Sequence, residues 1–152
     1  MAIRIGIAGI AGRMGTLLAE ETVAAGCILA GGTLGRSGKA GPAGASILPD
    51  IGALFSASDV VIDFTHAHTA PAHAAAAVAA GKPLILGSSG LSAAEEAAVA
   101  EAARRVPIVY AANFAPGVNL FLAIAERMAA ALPPEQYDAE IVEMHHRQKA
   151  VS

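Results

Sequence analysis

The chain has 152 residues, 55% hydrophobic and only 15% charged, with a formal net charge of −3 and a mean hydropathy of +0.53. Such a chain is too apolar and too weakly charged to be disordered, and its length allows one ordinary domain with the start of a second. A pI near 5.9 gives no electrostatic case for a nucleic-acid partner. The single cysteine, Cys27, excludes an internal disulfide framework and a multi-cysteine zinc site; a reducing, cytoplasmic setting fits best. The purest apolar run, residues 74–80, is stopped by Gly81-Lys82-Pro83, far short of the roughly 20 apolar residues of a membrane span. Arg4 and the glycines after it break the stretch a signal peptide would need, so no membrane partner is expected.

Residues 3–8 read as a short, mostly apolar strand entering a glycine-punctuated turn. A helix is predicted over 13–25, with Met14, Leu17, Leu18 and Val23 apolar and Gly26 as the residue that ends it. Residues 27–30 form a second strand by composition, and 31–49, rich in Gly, Ser and Pro, read as loop. The β-branched run in 59–64 is the clearest buried strand, and Thr65 can cap the alanine helix that follows, up to Gly81. Leu84-Ile85-Leu86 is a strand ending in Gly87-Ser88-Ser89-Gly90. Ser92-Ala93-Ala94-Glu95 matches a capping box, which starts a helix to about Arg105. Residues 107–110 are a further strand. Pro116 opens a helix through Leu132, Pro133-Pro134 ends it, and 137–144 look like a final strand.

Short apolar strands alternating with helices imply an α/β fold, a doubly wound parallel sheet of Rossmann-like type covered on both faces. The first turn carries Gly9, Gly12 and Gly15 between strand and helix. Glycines there allow a tight turn, let a diphosphate approach the backbone and bring helix and strand close, while the helix N-terminus offers N–H groups to phosphate. The spacing is GxxGxxG rather than GxGxxG, and the alternative is that these are packing glycines in an Ala/Gly-rich chain. The stretch after the second strand, Leu34 to Lys39, holds no carboxylate to bind adenosine ribose hydroxyls, whereas Arg36, and with it Lys39, could meet a 2′-phosphate. NADPH is therefore expected to be preferred over NADH, the alternative being that Arg36 is a solvated loop charge.

Other polar residues have plainer readings. His66 and His73 are two helical turns apart, but no carboxylate or cysteine accompanies them and His68 at ligand spacing, so no metal is expected. Asp63 is either a strand-end polar anchor or a neighbour of the cofactor site. Cys27 reads as a small buried strand residue, the 72–80 alanines as core packing, and Arg104-Arg105 as a match to a helix C-terminal dipole.

Taken in order, the glycine turn, Val61-Ile62-Asp63-Phe64-Thr65, Gly87-Ser88-Ser89-Gly90, Ala111-Ala112-Asn113-Phe114, Gly117-Val118-Asn119 and Glu143-Met144-His145-His146-Arg147-Gln148-Lys149 resemble the 4-hydroxy-tetrahydrodipicolinate (dihydrodipicolinate) reductases of diaminopimelate and lysine biosynthesis, over nearly the whole chain. The resemblance implies a dinucleotide-binding domain over 1–113, with 114–152 as a linker helix and the start of an α+β substrate domain. It implies NADPH or NADH bound along Gly9, Ile10, Ala11, Gly12, Arg13 and Met14, with Arg36 near the adenosine ribose. Gly87, Ser88 and Ser89 would lie by the nicotinamide, where the family usually has Gly-Thr-Thr, and Ala111, Ala112, Asn113 and Phe114 would close over it. By the same carry-over His145 is the proton donor/acceptor, His146 binds substrate and Lys149 is the proton donor.

The implied reaction is hydride transfer to a cyclic imine dicarboxylate, giving tetrahydrodipicolinate. The electron-rich enamine left behind must take a proton, which a cationic Lys149 or a histidine near neutral pKa can supply. Cationic groups would also hold the two substrate carboxylates. If 137–145 is extended, Glu143 and His145 share one face and Met144 and His146 the other. After the lysine the family continues with Asp-Ala-Pro-Ser-Gly-Thr, whose Gly-Thr grips a substrate carboxylate, and then with its substrate-binding, tetramer-forming sheet domain. Here Lys149 is followed by Ala150-Val151-Ser152. If the chain ends there, it is expected to bind cofactor without substantial turnover, and a homotetramer is expected only with the sheet domain present. Two other readings share the glycine turn: a non-catalytic NAD(P)-binding redox-sensing module, and another small-substrate dehydrogenase on the same scaffold. Neither accounts for His145-His146 with Lys149.

Overall fold

A computed structural model describes residues 1–35, 39–142 and 144. The chain divides into two compact units, Met1–Ala112 and a second beginning at Asn113. The first unit holds five strands, β1 (Arg4–Ala8), β2 (Ile28–Gly32), β3 (Val60–Asp63), β4 (Leu84–Leu86) and β5 (Ile108–Tyr110), and four helices, α1 (Arg13–Ala24), α2 (Ile51–Ala57), α3 (Ala70–Ala80) and α4 (Ala93–Ala103). All strand pairs are parallel and the order is β2-β1-β3-β4-β5, the doubly wound sheet expected from the alternation of strands and helices.

Side-chain alternation assigns the helices to the two faces. Ile5 and Ile7 of β1 pack with Ile10, Leu18, Ala19 and Leu29 under α1. Gly6 and Ala8 face the other way. A Cβ on Gly6 would lie 2.2 Å from Ser58 Oγ and 2.9 Å from Leu54 Cδ1, so glycine is what lets α2 sit against β1. The larger core lies on this second face, where Leu54 and Phe55 of α2 meet Val61, Leu84 and Leu86 of the sheet and the alanines Ala70, Ala74 and Ala77 of α3, with Val99 and Ala102 of α4. The alanine run is thus core packing on one face of α3, and Gly81, at φ 64°, ends that helix in the left-handed region.

Helix α1 buries Gly15, Ala19 and Thr22, while Met14, Leu17 and Val23 are exposed. A face of small residues brings this helix close to the sheet, where large ones would hold it off. Ser92 and Glu95 close the expected capping box at the start of α4.

Several expectations are corrected. Helix α2 falls between the 31–49 loop and the 59–64 strand, where no element is predicted, and Asp50 starts it by accepting a hydrogen bond from Ala53 N at 2.7 Å. Thr65 does not cap the alanine helix: a short 3-10 turn, Ala67–Thr69, intervenes. His66 therefore stands before that turn rather than on one helix face with His73. Cys27 is half-buried and outside β2.

The pairing of β1 with β2 slips by one residue. Ile5 pairs with Leu29 but Gly6 with Gly31, so Ala30 is the extra residue. Gly31 takes φ +130°, and a Cβ there would lie 2.4 Å from Ser46 O. Ile47 makes an isolated parallel bridge with Gly32.

The second unit is dominated by α5 (Pro116–Ala131), opened by the expected proline. Val118, Leu120, Phe121, Leu122, Ile124 and Met128 are exposed along it. The final strand expected at 137–144 is not formed: residues 137–142 and 144 are irregular and exposed. Strand-like composition makes a strand only where a neighbouring ladder accepts its backbone groups, and among the described residues none pairs there. No helix among the described residues is long and apolar enough to cross a membrane.

Candidate functional site

Strand β1 has β2 on one side and β3 on the other, so the connections from β1 to β2 and from β3 to β4 leave in opposite senses and open a crevice beyond the strands' C-terminal ends. Such switch points are where doubly wound sheets bind ligands. The glycine turn fills this place. Gly9 takes φ +71°, and a Cβ there would lie 2.7 Å from Thr65 Cγ2. Its N–H donates to Thr33 Oγ1 at 3.2 Å. Ile10 N donates to Thr33 O at 3.0 Å, Thr33 N donates to Ile7 O at 3.1 Å, and Gly12 N closes the turn on Gly9 O at 2.9 Å. Thr33 thus staples the end of β2 to the turn, a role its loop-like sequence context gave no sign of.

A Cβ on Gly15 would stand 2.3 Å from Gly9 O and 2.7 Å from Ile10 Cα. Helix α1 therefore starts hard against the turn. Gly12 is its N-cap and no side chain caps it, which leaves the first-turn N–H groups and the positive end of the helix dipole toward the crevice. Ile10 has no exposed surface and its side chain belongs to the core; Ala11 is half-buried, while Arg13 and Met14 are exposed.

The turn after β4 is built differently. Gly87 N donates to Asp63 O at 2.8 Å, and a Cβ on Gly87 would fall 2.2 Å from Phe64 Cε1. Ser88 is buried, and its Oγ has no hydrogen-bond partner among the described residues; Ser89 is exposed. A buried hydroxyl left unpaired costs about 1–3 kcal/mol, so its persistence beside a glycine turn suits a group that receives a ligand. The glycine cradle, the uncapped helix N-terminus and this hydroxyl all fit a dinucleotide, whose diphosphate needs close backbone approach and whose base needs polar partners.

Asp63 resolves the choice between anchor and neighbour, since it anchors residues that pack on both turns. Its carboxylate has no exposed surface. Oδ1 accepts from Thr65 N at 2.7 Å and from Thr65 Oγ1 at 2.5 Å, and Oδ2 accepts from His73 Nδ1 at 2.5 Å. Burial alone pushes the carboxyl up. The hydrogen bond and charge of His73, with the two bonds from Thr65, outweigh burial and hold it below its ordinary value. His73 therefore has a carboxylate partner, which spacing along the sequence did not show. His66 and His68 are exposed and stack on each other at 5.5 Å. Among the described residues no three His, Cys, Asp or Glu side chains cluster as metal ligands would.

Ala111 and Ala112 end the first unit, with Ala111 N donating to Leu86 O at 3.2 Å. Asn113 and Phe114 begin the second. There Asn113 Oδ1 accepts from Ala115 N at 2.8 Å and its carbonyl accepts from Asn119 Nδ2 at 3.1 Å, which fixes the approach to α5. Arg36, Glu143, His145, His146 and Lys149 lie outside the described residues.

Comparison with known proteins agrees with the geometry. The family described as "Dihydrodipicolinate reductase, N-terminus" matches residues 3–114, and "Dihydrodipicolinate reductase, C-terminus" matches 117–152. The chain is 63% identical over 149 residues to the 4-hydroxy-tetrahydrodipicolinate reductase of Granulibacter bethesdensis, covering 97% of this chain and 56% of that protein. It is 56% identical over 147 residues to that of Acidiphilium cryptum, covering 97% and 55%. It thus spans about half the length of the curated relatives it matches. Among solved structures, a dipicolinate-bound dihydrodipicolinate reductase from Paenisporosarcina sp. TG-14 shares the fold with a TM-score of 0.71 at 22% identity, covering 87% of this chain and 55% of that one. On these matches, the chain belongs to the dihydrodipicolinate reductase family.

Proposed function

We propose that this chain is the cofactor-binding part of a 4-hydroxy-tetrahydrodipicolinate reductase, acting in diaminopimelate and lysine biosynthesis in the cytoplasm. The observation that carries the reading is the fit of Gly9, Gly12 and Gly15 around an uncapped helix start at the sheet's switch point. In this reading the backbone from Gly9 to Met14 holds the diphosphate of NAD(P)H, and Gly87, Ser88 and Ser89 take the nicotinamide end. When bound, the reduced nicotinamide supplies hydride to the cyclic imine dicarboxylate. His145 and Lys149 manage the proton and His146 binds substrate, as the family motif implies; Ala111 to Phe114 lead toward the substrate domain. With the sheet domain of its relatives the enzyme assembles as a homotetramer.

Arg36 makes NADPH the preferred cofactor, because a guanidinium can pair with a 2′-phosphate bidentately. Fluorescence titration of the purified polypeptide with NADPH and NADH tests both points. Both should bind, NADPH more tightly, and Arg36→Ala should bring the two affinities together. Absence of binding by either nucleotide overturns the reading; equal affinities at moderate salt remove the preference alone. In an enzyme of full family length, His145→Gln and Lys149→Ala should abolish reduction while leaving NADPH binding intact.

A further inference from the structure

Two residues at the end of β3 touch both turns just described. Thr65 packs its methyl on Gly9, and Phe64 lays its ring edge over Gly87. Asp63 fixes this dipeptide from both sides, its carbonyl accepting from Gly87 N and its carboxylate accepting twice from Thr65. The remaining carboxylate oxygen is held by His73, which stands one turn into α3 and is itself mostly buried, with 15% of its side chain exposed. Thr69 Oγ1, 2.9 Å from Thr65 Oγ1, supports the same hydroxyl. The result is a continuous polar brace running from α3 through Asp63 to the two glycine turns.

We propose that His73 is a positioning residue for the cofactor: through Asp63, Thr65 and Phe64 it fixes the spacing between the Gly9–Gly15 turn and the Gly87–Gly90 turn, so that one dinucleotide can engage both at once. The proposal rests on the reading of these turns as the two halves of an NAD(P)H site. Its logic is geometric. The first turn closes on itself through Gly12 N and Gly9 O, and the second hangs from Asp63 O through Gly87 N, but a ligand that bridges them gains from both only if their separation is set beforehand. Without His73, Asp63 keeps a buried carboxylate with one oxygen unpaired, and the carboxylate is free to turn away from Thr65. The conservative replacement is asparagine, whose Nδ2 stands where Nδ1 of histidine stands and donates the same hydrogen bond.

The test compares a bridging ligand with a half ligand. NADPH spans both turns; 2′-phospho-ADP-ribose carries the adenosine and diphosphate but no nicotinamide. Affinities for the two are measured by titration calorimetry on the purified polypeptide, well below its unfolding midpoint, for the parent, His73→Ala, His73→Asn and Thr65→Ser. His73→Ala should weaken NADPH about tenfold and the half ligand less than threefold; His73→Asn should recover most of the loss. Thr65→Ser keeps the hydroxyl but removes the methyl from Gly9, and should weaken NADPH about threefold. It also keeps the proposal testable should His73→Ala fail to fold. Equal weakening of both ligands, or unchanged NADPH affinity in Thr65→Ser, overturns the proposal while leaving the cofactor site standing. A parent chain that binds neither ligand overturns the cofactor reading itself and the brace with it.

Discussion

A carbon atom added to Gly15 would stand 2.3 Å from the carbonyl oxygen of Gly9. The first residues of α1 and the turn before it are therefore packed backbone on backbone, with no side chain between them to give way. Gly15→Ala must push the helix off the turn. Overpacking of this kind costs about 1–3 kcal/mol, and the same displacement widens the cradle. A lower urea midpoint together with loss of NADPH binding is the expected outcome.

Ser88 should behave in the opposite way. Its buried Oγ has no partner among the described residues, so Ser88→Ala removes a desolvated polar atom and should leave the ligand-free chain equally stable or up to about 1 kcal/mol more stable. If the hydroxyl serves the nicotinamide end, NADPH affinity falls in the same variant. Thermal melts with and without NADPH separate the two effects.

Lys82 ties α3 to α2. Its ammonium donates to the carbonyls of Phe55 at 2.8 Å, Ser56 at 3.2 Å and Ser58 at 2.5 Å, which gathers the carbonyls at the C-terminal end of α2 onto one positive charge. Lys82→Met keeps the length and loses the donors. Charged hydrogen bonds of this kind are worth about 1.5–3 kcal/mol in total here, read as a lower denaturation midpoint with cofactor affinity little changed.

Asp63 sets an acid limit. Its carboxyl is held below its ordinary value of 3.8, so the unfolded chain binds the proton more readily than the folded one. The stability this contributes is whole above the unfolded value and is lost as pH falls through the lower folded value. Urea midpoints should therefore show a loss from this group only below about pH 4, and Asp63→Asn should remove that acid segment while lowering stability at neutral pH.

Much of the sheet is legible because buried parallel strands are short β-branched and leucine runs, as in Val60-Val61-Ile62 and Leu84-Ile85-Leu86. The capping box of α4 and the glycine stop of α3 are equally local and equally readable. Helix α2 carried a signal that its surroundings masked: Asp50 as cap, then Ile51, Leu54 and Phe55 at helical spacing. Residues 137–144 show the reverse error, since composition favours a strand but only a neighbouring strand can make one. The tight glycine turn after β1 was legible, as was the turn after β4. The Asp63–His73 pair was not, because a 3-10 turn separates the partners and only the folded path of the chain brings them together. Thr33 escaped for the same reason: its partners are the backbone N–H groups of Gly9 and Ile10 and the carbonyl of Ile7, more than twenty residues away.

The extra residue in β2 has a practical meaning for anyone wishing to transplant nucleotide selectivity. Because Ala30 offsets the pairing of β2 with β1, Thr33 arrives beside the first turn in the right phase to hold it. A cassette taken from a relative and spliced in after Thr33 inherits that phase and keeps the clasp, whereas one spliced upstream of Ala30 must bring its own irregularity. Chimeras should be cut downstream of the kink, and a swap that straightens this edge of the sheet will lose the clasp before the new loop has met any nucleotide.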